Sequence, residues 1–225
     1  SIVSSGFLPS RFMALTEDER WIQALWTGAT NLSLMPACVL TFQEEMHYEC
    51  IMGFFAMLTS TIYHVAESLQ VNFLGFNHGR WHHMDNVFAI TALLLNIANF
   101  AQGPRPSAFR ELRNSLATAV VICFQVAAPW NLMHSIIPLV FGIFLLLLEL
   151  AFWRRCPSFS KRDLFKAFLS SCSAGLCFYK GLDERKDYLR LWHGGWHIFV
   201  GAVTYFSVKS QNPHEKLSDV AAKDA

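Results

Sequence analysis

Seven apolar runs follow one another from Trp21 to Val208 with short polar links between them, each close to the roughly 20 residues that a helix needs to cross a bilayer. They are read at Trp21–Phe42, Cys50–Ser68, Met84–Ala101, Ser115–Trp130, Ile136–Trp153, Leu164–Tyr179 and Leu189–Val208. The links are marked by Gln43-Glu44-Glu45, the breaker Gly103-Pro104-Arg105-Pro106, a tight turn near Pro129, the Arg154-Arg155 pair and the charged stretch from Asp183 to Arg190. A transmembrane β-barrel would instead show alternating segments of about 10 residues. The expected fold is all-α: a polytopic membrane protein with a seven-transmembrane-helix bundle over residues 21–208, an N-terminal tail at 1–20 and a polar C-terminal tail at 209–225.

Composition agrees. Apolar residues make up 53% and charged residues 16% of the 225, and the mean hydropathy is +0.29, too apolar for a small enzyme with a wetted surface. A net charge of +1 excludes a nucleic-acid partner held by bulk electrostatics. Lys and Arg are more frequent on the side holding Arg105, Arg110, Arg113, Arg154 and Arg155 than on the side holding Arg20 and Arg80. The expected orientation is therefore N-terminus outside or lumenal and C-terminus cytoplasmic, in the secretory pathway or plasma membrane. Cysteines 38, 50, 123, 172 and 177 fall in or at the edge of the spans and read as packing thiols, whereas Cys156 beside Arg154-Arg155 is a candidate for acylation. The sequon Asn31-Leu32-Ser33 lies inside the first span and is expected to be unused.

Ionisable residues in hydrocarbon are costly, so each one inside a span is a functional candidate that must find a partner. The second span ends Ser60-Thr61-Ile62-Tyr63-His64, with Ser60 and His64 on one helix face. The third opens His82-His83-Met84-Asp85, and the seventh carries His193 and His197 four residues apart, the spacing that lets two imidazoles reach one ion. Taken singly, each motif also fits a hydrogen-bonded interfacial side chain. Alternating topology adds the decisive constraint: the second helix runs toward the N-terminal side while the third and seventh start from it, so all of these groups share one depth.

Three imidazoles without a thiolate suit Zn2+ in a site that leaves a fourth position open. His64, His193 and His197 are the expected metal ligands. Asp85 is the expected general base, and Ser60 is expected to bond to a ligand or to a developing oxyanion. Such a site hydrolyses an ester or amide. Embedded at the bilayer edge, it would take a membrane lipid substrate entering sideways.

The order Ser-x-x-x-His, Asp, His-x-x-x-His across these spans resembles the CREST superfamily of seven-span putative metal-dependent hydrolases, which includes alkaline ceramidases, progestin and adiponectin receptors and myomaker-like proteins. The stretches Asn31-Leu32-Ser33-Leu34-Met35-Pro36, Phe54-Phe55-Ala56-Met57 and Ser60 to Ala66, with the interval from His64 to Asp85, are most similar to the myomaker-like branch. The resemblance implies zinc on His64, His193 and His197, with Ser60 and Asp85 in supporting or catalytic roles. Glu67 is spaced differently from the acidic residue of that branch and receives no role, and His82 and His83 read as interfacial. Two functions remain open: a zinc-dependent lipid amidase or acyl-esterase, and a non-enzymatic membrane protein for remodelling or fusion, or a structural subunit, with a structural metal or degenerate site. A homodimer or a membrane-complex partner is compatible with either.

Overall fold

The computed structural model describes residues 15–100, 107–128, 131–153, 159–183 and 185–211. Among these residues there is no β-strand, and the chain forms α1 (Glu17–Thr30), α2 (Met35–Gln43), α3 (His47–Leu69), α4 (His78–Asn99), α5 (Ser107–Ala127), α6 (Leu132–Trp153), α7 (Lys161–Gly181) and α8 (Leu191–Ser210). The breaker at 103–106, residues 129–130, Arg154, Arg155, Cys156 and most of both tails lie outside the described residues.

The expected first span is not one helix. It is α1, a 3-10 turn at Asn31–Leu34, and α2. Pro36 sits in the first turn of α2, where the missing N–H of a proline costs no intrahelical bond. The preceding turn tightens as Thr30 Oγ1 and Asn31 Nδ2 both donate to the Thr27 carbonyl, at 3.1 and 2.9 Å. The α1 helix also begins before Trp21. Thr16 and Glu19 form a reciprocal capping box there, so residues 17–20 belong to the helix and not to the tail.

A tight knuckle joins α3 to α4. Phe73 and Phe76 exchange backbone hydrogen bonds of 3.0 Å across Leu74 and Gly75, both left-handed at φ 50° and 79°, as a two-residue hairpin requires. Trp81 Nε1 donates to the Phe73 carbonyl at 3.1 Å and ties the knuckle to the first turn of α4. The helices α3 and α4 pack along each other, α8 packs on α7, α1, α2 and the 3-10 turn, and α5 and α6 flank α4. Glycine permits two of these approaches: a Cβ on Gly194 would enter the Trp26 indole, and one on Gly201 would enter the Ser33 backbone.

Polarity is distributed inside out. Fully buried side chains include Thr27, Thr59, His64, Asn99, Asn114 and Gln125. Exposed ones include Val140, Phe141, Phe144 and Leu147 on α6 and Phe165, Phe168 and Leu169 on α7. By length and composition, α3 is the one helix among the described residues that qualifies as a membrane span, and the described apolar part of α6 ends at Leu148. The five described cysteines are free thiols, as expected. Asn31 is 1% exposed, which keeps its amide out of reach of glycosylation.

Candidate metal centre

His64 lies in the last turns of α3, while His193 and His197 lie in the first turns of α8. The His64 Nε2 atom is 3.1 Å from His193 Nε2 and 3.1 Å from His197 Nε2, and one ring nitrogen from each residue falls within 4.8 Å of the others. The rings stand 68° to 77° to one another, like blades about a common axis. A neutral imidazole nitrogen carries either one N–H or one lone pair, so Nε2 of His64 cannot bond well to two such neighbours at once. A cation shared by three lone pairs satisfies all of them. With metal–nitrogen bonds of about 2.0–2.1 Å, adjacent ligands of a tetrahedral site stand about 3.3 Å apart. The two separations from His64 are close to that spacing, and the donor set suits one metal ion once His193 and His197, within 4.8 Å of each other, stand at it too.

Asp85 and Ser60 join the same site. Ser60, one turn before His64, lies beside the Asp85 carboxylate, and both side chains are buried. Asp85 Oδ1 has no partner. All five expected residues line one cavity of about 510 Å3. It continues to Glu49 and Asn99, near the other ends of α3 and α4, roughly 22 Å away at 1.5 Å per residue. Of the extra histidines, His82 lines the cavity and stacks on Tyr63 at 4.5 Å and 12°. His83 does not line it, and its Nε2 is buried without a partner.

Sequence reasoning missed the groups that hold the histidines. Asp187, 4% exposed, accepts from the backbone N–H of Trp192 and of His193, each at 3.0 Å, and so caps the helix end that carries the site. Arg190, left-handed at φ 54°, turns the chain into α8. Its guanidinium Nη1 lies 2.6 Å from Glu67 Oε2 and 3.5 Å from His64 Nδ1. Tyr63 donates to Glu67 Oε1 at 2.9 Å. Asn31, to which the sequence assigns no place in the site, lines the cavity with an unpartnered amide oxygen.

A family model described as "Protein of unknown function (DUF3522)" matches residues 19–198, a segment that holds all five site residues. The chain belongs to the DUF3522 family. No curated protein matches the sequence. Membership in DUF3522 names no reaction, so the functional reading rests on the site itself.

Proposed function

We propose that this DUF3522 protein is an integral membrane, zinc-dependent hydrolase of a lipid amide or ester, with the chemistry of the CREST superfamily it resembles. The carrying observation is the convergence of three imidazoles in a cavity that also holds a buried carboxylate with a free oxygen. Zinc held by His64, His193 and His197 would supply Lewis acidity at neutral pH. Asp85 takes the proton of the attacking water and returns it to the leaving group. Ser60, which lines the cavity beside that carboxylate, would donate to it or to the developing oxyanion.

The shape of the interior supports a lipid substrate. A methylene fills about as much space as a water in the liquid, about 30 Å3, so the cavity of about 510 Å3 accepts one long acyl chain. Among the described residues α6 and α7 make no extended contact with each other, yet Leu132 and Ile136 of α6, Phe178 of α7 and Leu182 just after it all line the cavity. That seam is the sideways entrance. Apolar outward faces around a polar interior support seven crossings, with α1 to α2 as one. The N-terminus would be outside or lumenal and the C-terminus cytoplasmic, in the secretory pathway or plasma membrane.

The test is metal analysis of detergent-purified protein joined to mass spectrometry of a lipid panel after incubation. Wild type is expected to hold one zinc per chain and to release fatty acid, His193→Ala to lose both, and Asp85→Asn to keep zinc and lose turnover. Folded wild type without metal overturns the proposal. Undiminished turnover by Asp85→Asn removes the assigned base, and zinc-loaded wild type without turnover favours a scaffold that keeps the metal as a staple.

A further inference from the structure

A histidine that gives Nε2 to a metal carries its proton on Nδ1, and that proton needs an acceptor to fix the tautomer and the ring plane. His64 is 1% exposed, so water is a poor candidate for that acceptor. Two protein groups lie near its Nδ1: Arg190 Nη1 at 3.5 Å and Glu67 Oε2 at 3.9 Å. Guanidinium only donates. Arg190 can therefore face Nδ1 when the proton sits on Nε2, which is the arrangement for a ring without metal. It cannot receive the proton of a metal-bound ring.

Glu67 can. Its Oε1 already accepts from Tyr63. Its Oε2 is buried and, although 2.6 Å from Arg190 Nη1, makes no well-directed hydrogen bond. One carboxylate oxygen is therefore anchored, while the other keeps acceptor capacity beside the nitrogen that metal binding would protonate. Glu67 follows His64 by three residues and so shares its helix face. We propose that Glu67 is the positioning residue that locks His64 as an Nε2 ligand by accepting from Nδ1–H, with Arg190 clamping the carboxylate from the end of the α7–α8 connection. The proposal rests on the metal reading above and assigns Glu67 no contact with substrate. It also gives the pair an electrostatic function: with Glu67 neutralised, the Arg190 charge would stand uncompensated close to a dication.

The change on loading is small. Nδ1 and Oε2 must approach by about 1 Å to reach hydrogen-bond distance, which a rotation of the His64 ring or of the Glu67 carboxylate provides. As Nδ1 changes from acceptor to donor, Arg190 exchanges its contact with His64 for a fuller one with Glu67.

The experiment is chelator-competition titration of zinc into purified full-length protein, with cobalt as a spectroscopic probe of the ligand set. Glu67→Gln is expected to weaken zinc binding by about 10- to 100-fold while its circular dichroism and elution profile match wild type. Removing the uncompensated charge in Glu67→Gln/Arg190→Gln is expected to restore part of that affinity, which a merely structural role for the pair would not do. Wild-type affinity in Glu67→Gln, or no recovery in the double variant, overturns the proposal. Should Glu67→Gln fail to fold, an experimental structure of zinc-loaded wild type decides the point: a contraction of Nδ1···Oε2 to about 2.8–3.0 Å supports the lock, and an unchanged separation refutes it. Absence of zinc from wild type would sink the metal reading itself, an outcome distinct from either.

Discussion

Asp187 is the most informative single position outside the histidines, because its side chain acts on the backbone that carries one of them. Its two carboxylate oxygens receive the N–H groups of Trp192 and His193 at 3.0 Å each, and it is 4% exposed. Replacement by alanine deletes a helix cap, worth about 0.5–2 kcal/mol. It also leaves two part-buried donors unpaired, at up to about 1–3 kcal/mol each. Because one carboxylate serves both bonds, the effects overlap, and about 2–4 kcal/mol is the expected loss. For a chain of this size each kcal/mol lowers Tm by about 2–4 °C, so Asp187→Ala should melt roughly 4–16 °C below wild type in a detergent thermal-shift assay. Zinc affinity should fall with it, since the His193 backbone loses its anchor. Asp183→Ala is the control: that carboxylate makes a 3.0 Å pair with Lys186 at the exposed loop surface, and the ammonium holds it below the usual carboxylate range through the hydrogen bond. An exposed pair of this kind contributes little, so the control should melt like wild type. If Asp187→Ala melts with Asp183→Ala, the cap does not hold the site and the reasoning fails.

Two further perturbations probe the frame. Gly201→Ala would press a methyl group into the Ser33 backbone and strain the Ser33 Oγ bond to the His197 carbonyl, now 2.8 Å; overpacking of this kind costs about 1–3 kcal/mol, and an unchanged melting temperature would show that α8 and the 3-10 turn are not in close contact. Phe144→Arg places a charge at a 53% exposed position in the middle of α6; if that face meets lipid, the penalty is about 2.5–3.5 kcal/mol on insertion scales, read as a reduced membrane-inserted fraction in a glycosylation-tag assay, and unimpaired insertion would refute a lipid-facing α6.

The histidine pair of α8 was legible because its four-residue spacing is a property of a single helix, and such spacings survive whatever the tertiary structure does. Its meeting with His64 was legible for a different reason. On the seven-span reading, alternating helix direction sets depth and brings the end of α3 level with the starts of α4 and α8. The supporting shell had no such signal. Asp187 and Arg190 look like solvated link residues until the left-handed turn at Arg190 folds them back under the helix they precede. Glu67 was set aside on its spacing relative to a family pattern, although its three-residue separation from His64 already placed both on one face. The break between α1 and α2 was announced by Pro36 and Asn31 but hidden by apolar residues on both sides, which read as one continuous run.

By average composition α3 alone among the described helices qualifies as a membrane span. Buried polar groups such as Asp85, Asn96 and Asn99 on α4 and Asn114 and Gln125 on α5 lower the average hydropathy of the helices that carry them. Averages cannot tell which face those groups occupy. The burial pattern can, because the polar members point inward while Leu112, Leu116, Ile122 and Val126 of α5 point out. On the proposed reading, the polar interior is the cost of the chemistry and the apolar exterior is the constraint of the bilayer. Each can be changed separately: an interior Asp85→Asn should cost turnover and spare insertion, whereas an exterior Phe144→Arg should cost insertion first.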